Sequence, residues 1–214
     1  MQLTEIEVRI LGSLAEKETT TPDTYPLSLH ALVTACNQSS NRDPVMELGD
    51  DAVRWAINNL RQQSLVRAMQ RSDSRVMKYQ HLMTESTNLD APALAVLCVL
   101  MLRGPQTAGE IKGRTGRLAE FASLADVDTT LAALAARELV TELPRQPGQK
   151  EVRYAHLLSG QPAFPAIGAR HDVPNVPAPE DAGRIAALEA TVSDLRRELA
   201  DLRTRFDDFA RQFS

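Results

Sequence analysis

One pattern occurs twice in this chain: VRWAINNLRQQSLV at residues 53–66 and VDTTLAALAARELV at residues 127–140. In both copies apolar residues recur at the spacing of one helix face, and a Leu-Val pair follows. Each copy continues through a polar turn to a second segment that ends Tyr-x-His-Leu, at residues 79–82 and 154–157. A helix followed by a two-stranded ribbon is the C-terminal half of a winged helix. The repeat therefore predicts two winged-helix domains in tandem.

The predicted fold class is mainly α with small β-wings, in two tandem winged-helix domains plus a C-terminal coiled-coil helix. The first domain is predicted at residues 1–86 and the second at residues 87–159. Residues 160–181 hold five prolines and few large apolar residues, which is typical of a linker. Residues 182–214 follow as the coiled-coil segment.

Several helix starts can be identified from capping patterns. Thr4 precedes Glu7 by three residues, and Thr107 precedes Glu110 by three, so each pair fits a capping box. Ser28 is the predicted cap of the second helix of the first copy. These positions predict where the chain enters its helices.

The C-terminal segment carries a heptad pattern. Apolar residues occupy its a and d positions over four heptads without interruption. This pattern favours a coiled coil of two parallel helices, one from each of two copies of the chain. The alternative is that this helix packs back onto the winged domains of its own chain. The residues predicted to form the homodimer are Ile185, Leu188, Val192, Leu195, Leu199, Leu202, Phe206 and Phe209.

Composition and motifs argue against catalysis. The four histidines are scattered, the spacing of Cys and His suits no zinc site, and no glycine-rich phosphate loop is present. We therefore expect no enzyme activity, no metal and no cofactor. The two cysteines, Cys36 and Cys98, fall in apolar helical patterns and are expected to be buried thiols.

The chain is expected to be cytoplasmic and independent of membranes. Its N-terminus has no basic region followed by an apolar run, so it does not resemble a signal peptide. The longest apolar run, residues 93–102, is about half of the ~20 residues that span a bilayer. The net charge of −4 provides no overall positive field, so nucleic-acid binding would depend on local patches.

The first copy offers such a patch. If Val53, Ile57 and Leu60 face the core, polar and basic residues are left on the outer face of the helix, and more cations follow on the wing. The predicted contacts to double-stranded DNA are Arg54, Asn58, Arg61 and Gln62 on the helix, and Arg67, Arg71, Arg75 and Lys78 on the wing. The alternative is that these are ordinary solvated charges. Asp50 and Asp51 at the helix start favour that alternative.

The second copy lacks the side chains for this task. The outer face of its third helix is predicted to present short or acidic groups, which suit close packing against a protein partner. These residues are Asp128, Thr129, Ala132, Ala133 and Ala136. Protein partners are therefore expected at the second copy.

Four strings resemble the signatures of the YceH-like family of uncharacterised bacterial proteins. They are LAEKETTTPDTYPLSL at residues 14–29, ACNQSSNRDPVM at 35–46, LRGPQTAGE at 102–110 and RYAHLLSG at 153–160. The resemblance covers residues 1–160 and implies tandem winged helices. It implies no activity and assigns no role to any residue.

The second of these strings contains a dense polar loop. Our hypothesis is that Asn37, Gln38, Asn41 and Arg42 contribute to a binding surface. The alternative is a network of side-chain-to-backbone hydrogen bonds that shapes the loop. 

The preferred function is a non-enzymatic, dimeric DNA-binding or transcription-regulatory protein. The alternative function is a protein–protein interaction adaptor whose winged domains make no contact with DNA. The basic first wing favours DNA binding. The acidic net charge favours the adaptor, and so does the third helix of the second copy, whose outer face lacks basic residues.

Overall fold

The computed structural model describes residues 2–70, 76–145 and 151–162. These residues are mainly helical and include two small antiparallel sheets, which agrees with the predicted class of a mainly α protein with small β elements. The first half contains α1 (Glu5–Thr20), β1 (Leu27–Ser28), α2 (Leu29–Cys36), α3 (Asp50–Gln62), β2 (Val66–Gln70) and β3 (Met77–His81). The second half contains α4 (Met83–Thr87), α5 (Ala91–Arg103), α6 (Ala108–Thr115), α7 (Leu124–Ala136), β4 (Val140–Leu143) and β5 (Arg153–His156).

The predicted helix caps are confirmed. Thr4 accepts a hydrogen bond from the amide of Glu7, and the Glu7 carboxylate accepts one from the amide of Thr4. Thr107 and Glu110 make the same reciprocal pair at the start of α6. Ser28 caps α2. Local sequence therefore fixes where three of the helices begin.

Helix α7 begins at Leu124, with Ser123 as its cap. Ser123 and Asp126 form a third capping box, in which Asp takes the position usually held by Glu. The Asp126 carboxylate thus lies in the first turn of the helix and does not precede it.

Each half closes its small sheet in a related way. In the first half the strand order is β1-β3-β2, with Leu27 opposite Tyr79. In the second half, β4 pairs with β5, and a single bridge joins Gln106 to Tyr154 where the first half has β1. The sequence did not indicate β1, because two residues are too few to show an alternating pattern.

One large hydrophobic core runs through both halves, beside a small second cluster of Ala15, Cys98 and Leu102. The described residues belong to one compact unit, in which α1 packs directly against α5. Gly12 lies at this contact: a Cβ atom there would come within 2.9 Å of Leu102 and 3.1 Å of Met101. The thiol of Cys98 donates to the Gly12 carbonyl at 3.4 Å. Helix α5 is buried on more than one side, since all of its residues from Ala95 to Leu102 are buried.

Several predicted features lie outside the described residues. They are the two wing turns, Arg71 and Arg75, the proline-rich linker, and the dimerisation residues from Ile185 to Phe209.

Candidate nucleic-acid interface

Helix α3 is strongly amphipathic, and its buried face determines which side chains reach solvent. Val53, Ile57 and Leu60 are almost completely buried, as predicted from their spacing. The opposite side presents the four polar residues predicted for it, and all four are exposed. They are Arg54, Asn58, Arg61 and Gln62. Because these positions are three or four residues apart, they form one stripe along the helix.

The two described wing cations lie on one face of the first sheet. Arg67 pairs with Gln80 in the β2–β3 register, and Lys78 pairs with Met69. Cross-strand partners point to the same side of a sheet, and the side alternates with each residue. Arg67 and Lys78 therefore share the outer face, where Arg67 is exposed and Lys78 is half-buried.

The inner face of β3 is anchored to α1 through His81. The His81 ring lies 2.9 Å from a Glu18 carboxylate oxygen through Nε2, and its Nδ1 accepts from the Met83 amide at 3.2 Å. The backbone amide of His81 donates to the Tyr25 hydroxyl at 2.9 Å. Burial raises the pKa of Tyr25. These bonds give His81 a structural role in holding β3 to α1 and to Tyr25.

Sequence reasoning missed Trp55, which is the largest exposed hydrophobic side chain on α3. Its side chain is 60% exposed, although tryptophan is usually well buried. The position could have been identified, since a core stripe through Val53 and Ile57 turns residue 55 outward. Trp55 therefore adds a planar apolar surface to the polar stripe of α3.

The charge of α3 is divided between its ends. Asp50 and Asp51 are exposed in the first turn, where they interact favourably with the helix dipole. Arg61 lies in the last turn, and Arg54 lies one turn after the acidic pair. A phosphate is therefore better accommodated along the middle and C-terminal part of α3 than at its N-terminus.

The second half carries acidic side chains at two positions where the first half has Arg54 and Ala68. Asp128 occupies the position of Arg54 in the repeat, and Glu142 occupies that of Ala68. Burial, together with the charges of Glu142 and Asp128, raises the pKa of Tyr154 between them. The outer face of α7 is exposed as predicted, at Asp128, Thr129, Ala132, Ala133 and Ala136. This surface has no cation on its helix to meet a phosphate.

In the polar loop, two of the predicted binding residues hold the backbone. The Asn37 side chain donates to the Leu48 carbonyl and accepts from the Leu48 amide, both at 2.8 Å. The Arg42 guanidinium is inaccessible to solvent and pairs with Glu16 at 2.6 Å. It also donates to the carbonyls of Ala35 and Asn41 and to the side chain of Gln38. The arrangement of Asn37 and Arg42 fits the alternative of a hydrogen-bond network that shapes the loop.

The other two loop residues lie beside a cleft. The Gln38 side-chain oxygen accepts from Lys17 at 3.4 Å as well as from Arg42. The Asn41 side-chain oxygen accepts from Arg103 of α5 at 2.5 Å, and Asn41 adopts a left-handed φ of 58°. Gln38 and Asn41 thus connect the loop to cationic side chains from α1 and α5.

Among residues 2–70, 76–145 and 151–162, no three His, Cys, Asp or Glu side chains are grouped so that they could hold a metal ion. None of the helices in those ranges is both long and apolar enough to cross a membrane.

The fold and the site define a mainly helical protein with small antiparallel sheets and one exposed polar helix face. The family described as "Protein of unknown function, DUF480" matches residues 3–149, and the chain belongs to this family. A UPF0502 protein of Pelobacter propionicus is 48% identical over 218 residues, covering 100% of this chain and 99% of that protein. The UPF0502 protein HEAR1280 of Herminiimonas arsenicoxydans is 46% identical over 210 residues, covering 96% and 88%. These matches confirm the family resemblance found in the sequence.

Proposed function

We propose that this chain is a non-enzymatic, cytoplasmic DNA-binding regulatory protein with two tandem winged helices, the first of which contacts duplex DNA. The observation that carries the proposal is the exposed stripe of α3, where Arg54, Asn58 and Arg61 follow one another along one helix face. The order of elements supports it, since the first half runs helix, strand, helix, helix, strand, strand. The second half repeats this order from α5, with a bridge in place of the first strand.

The side chains of α3 suit contacts in the major groove. Asn58 and Gln62 carry amides that can pair with the edge of adenine, and Arg54 and Arg61 can contact guanine or phosphate. Arg67 and Lys78 would meet phosphates beside the groove. The acidic first turn of α3 would lie away from the DNA backbone in this arrangement.

Two copies of the chain would bind together. Ile185 to Phe209 lie outside the described residues, and their heptad pattern supports a parallel coiled coil between two copies. A homodimer would present two first-half surfaces to one duplex. That arrangement raises the affinity for a duplex long enough to reach both surfaces.

The test is fluorescence anisotropy of the full-length protein on a labelled mixed-sequence duplex at several salt concentrations. We expect binding that weakens with salt, with about 0.9 of log–log slope for each phosphate contact. The double variant Arg54→Gln/Arg61→Gln should bind less tightly and have a shallower slope. The matched control is Arg114→Gln/Arg117→Gln, which removes the same charge from exposed residues of the second half.

No binding even at the lowest salt would refute the DNA proposal, because non-specific affinity is greatest there. Equal losses in the two double variants would also count against it, since the effect would then reflect net charge alone. 

The alternative function is a protein–protein interaction adaptor. It is favoured by one observation, namely that α7 exposes Ala132, Ala133 and Ala136 beside the acidic Asp128. Small side chains let another helix approach closely, and an acidic neighbour would select a basic partner surface. This alternative would be supported if the chain bound no duplex but associated with a basic partner protein. The variant Ala133→Arg should then lose that association.

A further inference from the structure

A cleft of about 400 Å³ opens between α1, the polar loop, α5 and the end of α6. Four cationic side chains line it: Lys17, Arg103, Arg114 and Arg117. They come from both halves of the chain, whose net charge is −4. The positive lining is therefore a local feature of this cleft and does not follow from the overall composition.

The Glu16 carboxylate in the cleft wall is already paired with a buried cation. Glu16 receives two hydrogen bonds from the buried guanidinium of Arg42, at 2.6 and 3.1 Å. A second buried guanidinium, that of Arg9, donates to the carbonyls of Cys36 and Pro44. Within the part of the chain that the structure describes it forms no hydrogen bond with a carboxylate, although Asp43 attracts it. Burial, with the like charge of Arg42 next, lowers the pKa of Arg9.

Three of the four lining cations form no direct ion pair or hydrogen bond with a carboxylate of the described residues, although Asp43 and Glu16 attract Arg103 and Glu110 attracts Arg114. Arg103 donates to the neutral side chain of Asn41. Arg114 and Arg117 are exposed and make no side-chain hydrogen bond or ion pair with any part of the chain that the structure describes. Burial, and then repulsion from Arg114, lower the pKa of Arg103. An anion between Arg103 and Arg114 would remove this repulsion.

We propose that this cleft binds a small soluble molecule that carries a phosphate or diphosphate group. Guanidinium groups match the geometry of phosphate oxygens and bind them through paired hydrogen bonds. The volume falls in the usual range for small-molecule sites, roughly 300–1,000 Å³. Val99, Leu102 and Leu118 provide an apolar part of the lining for the carbon skeleton of the ligand.

The composition of the lining narrows the ligand class. Among the residues that the structure describes, no aromatic side chain lines the cleft, so a nucleobase would find no ring there on which to stack. The hydroxyls of Thr20, Thr21 and Ser40 and the amide of Asn41 also line it, and these groups suit a hydroxylated skeleton such as a sugar phosphate. The concave shape favours such a ligand over the backbone of a duplex. This inference does not rest on the DNA-binding proposal.

The test is isothermal titration of the full-length protein with inorganic pyrophosphate, with ionic strength held constant by NaCl. We expect saturable binding with one site per chain. The variant Arg114→Gln/Arg117→Gln should bind at least tenfold more weakly, because it removes two of the four cations from the lining. Both side chains are exposed, so the variant should keep the melting temperature of the parent protein. The matched control is Arg54→Gln/Arg61→Gln, which should bind pyrophosphate as the parent protein does.

Three results would overturn the proposal. The first is no saturable heat at millimolar pyrophosphate. The second is equal affinity in the parent protein and the Arg114→Gln/Arg117→Gln variant. The third is loss of duplex affinity in that variant without any pyrophosphate binding by the parent protein, which would assign the cations to a nucleic-acid surface instead.

Discussion

Removal of the Arg42 guanidinium should destabilise the protein far more than removal of a similar but exposed arginine. The Arg42 side chain is inaccessible to solvent, and its partner Glu16 is 12% exposed. In Arg42→Ala, the Glu16 carboxylate loses both of its bonds to Arg42, and the Ala35 carbonyl loses two donors. The variant therefore leaves a nearly buried charge without its main partner.

The expected cost follows from that unpaired charge. Breaking a buried ion pair by removing one partner typically costs about 3–5 kcal/mol of unfolding free energy. For a chain of this size each kcal/mol lowers the melting temperature by roughly 2–4 °C, so Tm should fall by roughly 6–20 °C. The loss should be near the lower end if Lys17, 3.5 Å from Glu16, takes over part of the pairing.

The chain supplies its own control in Arg153 and Glu110. Their closest nitrogen and oxygen atoms are 3.0 Å apart, and a second bond of 3.4 Å completes a two-point contact. Both side chains are about one third exposed, at 35% and 32%. Arg153→Ala should therefore cost about 1 kcal/mol or less, as exposed pairs do.

The assay is urea denaturation followed by circular dichroism for both variants and the parent protein. A loss in Arg42→Ala no larger than that in Arg153→Ala would refute the reasoning from burial. The double variant Glu16→Leu/Arg42→Met provides a second check, because it removes both charges while retaining apolar bulk. It should be more stable than Arg42→Ala, and a further loss would contradict the unpaired-charge argument.

Three other predictions follow from packing and from protonation. Gly12→Ala should destabilise the protein by roughly 1–3 kcal/mol through overlap with α5, whereas Gly113→Ala, where a Cβ meets nothing within 4 Å, should be neutral or stabilising in thermal melts. Burial raises the pKa of Cys36 to about 11 and also raises the pKa of Cys98. Neither thiol should therefore react with a thiol reagent at pH 8 until the protein unfolds. Fast labelling of the native protein would contradict this prediction. Burial alone would raise the pKa of Glu16, but Arg42 and Lys17 hold that pKa below its ordinary value. The contribution of Glu16 to stability is thus complete near neutral pH and is lost as pH falls below the ordinary glutamate range. In Glu16→Gln, the free energy of unfolding should depend less on pH in that acidic range.

The features that the sequence predicts well are those that depend on near neighbours. A capping box links residues three apart, so the pairs at Thr4 and Thr107 could be identified directly. The buried stripe of Val53, Ile57 and Leu60 likewise depends only on helical spacing. The exposed residues of α3 could be predicted from the same stripe, because they lie on the opposite face of the helix.

The features that the sequence could not predict depend on distant segments. Arg42 pairs with Glu16 across 26 residues of chain, and only the docking of the loop on α1 brings them together. The phosphate-binding cleft proposed here needs Lys17 from one half and Arg114 from the other. Each cation alone is an unremarkable surface residue in the sequence. Their significance arises from the packing of α5 against both α1 and α6.

The close packing at Gly12 has a consequence for how this chain can change over evolutionary time. Because α1 and α5 share one core, a bulkier residue on either helix requires a matching change on the other. The two repeats can therefore be inherited together but cannot be exchanged one at a time with those of a distant relative. Because α3 packs on α1 and α7 packs on α5, the same contact joins the two repeats into one unit.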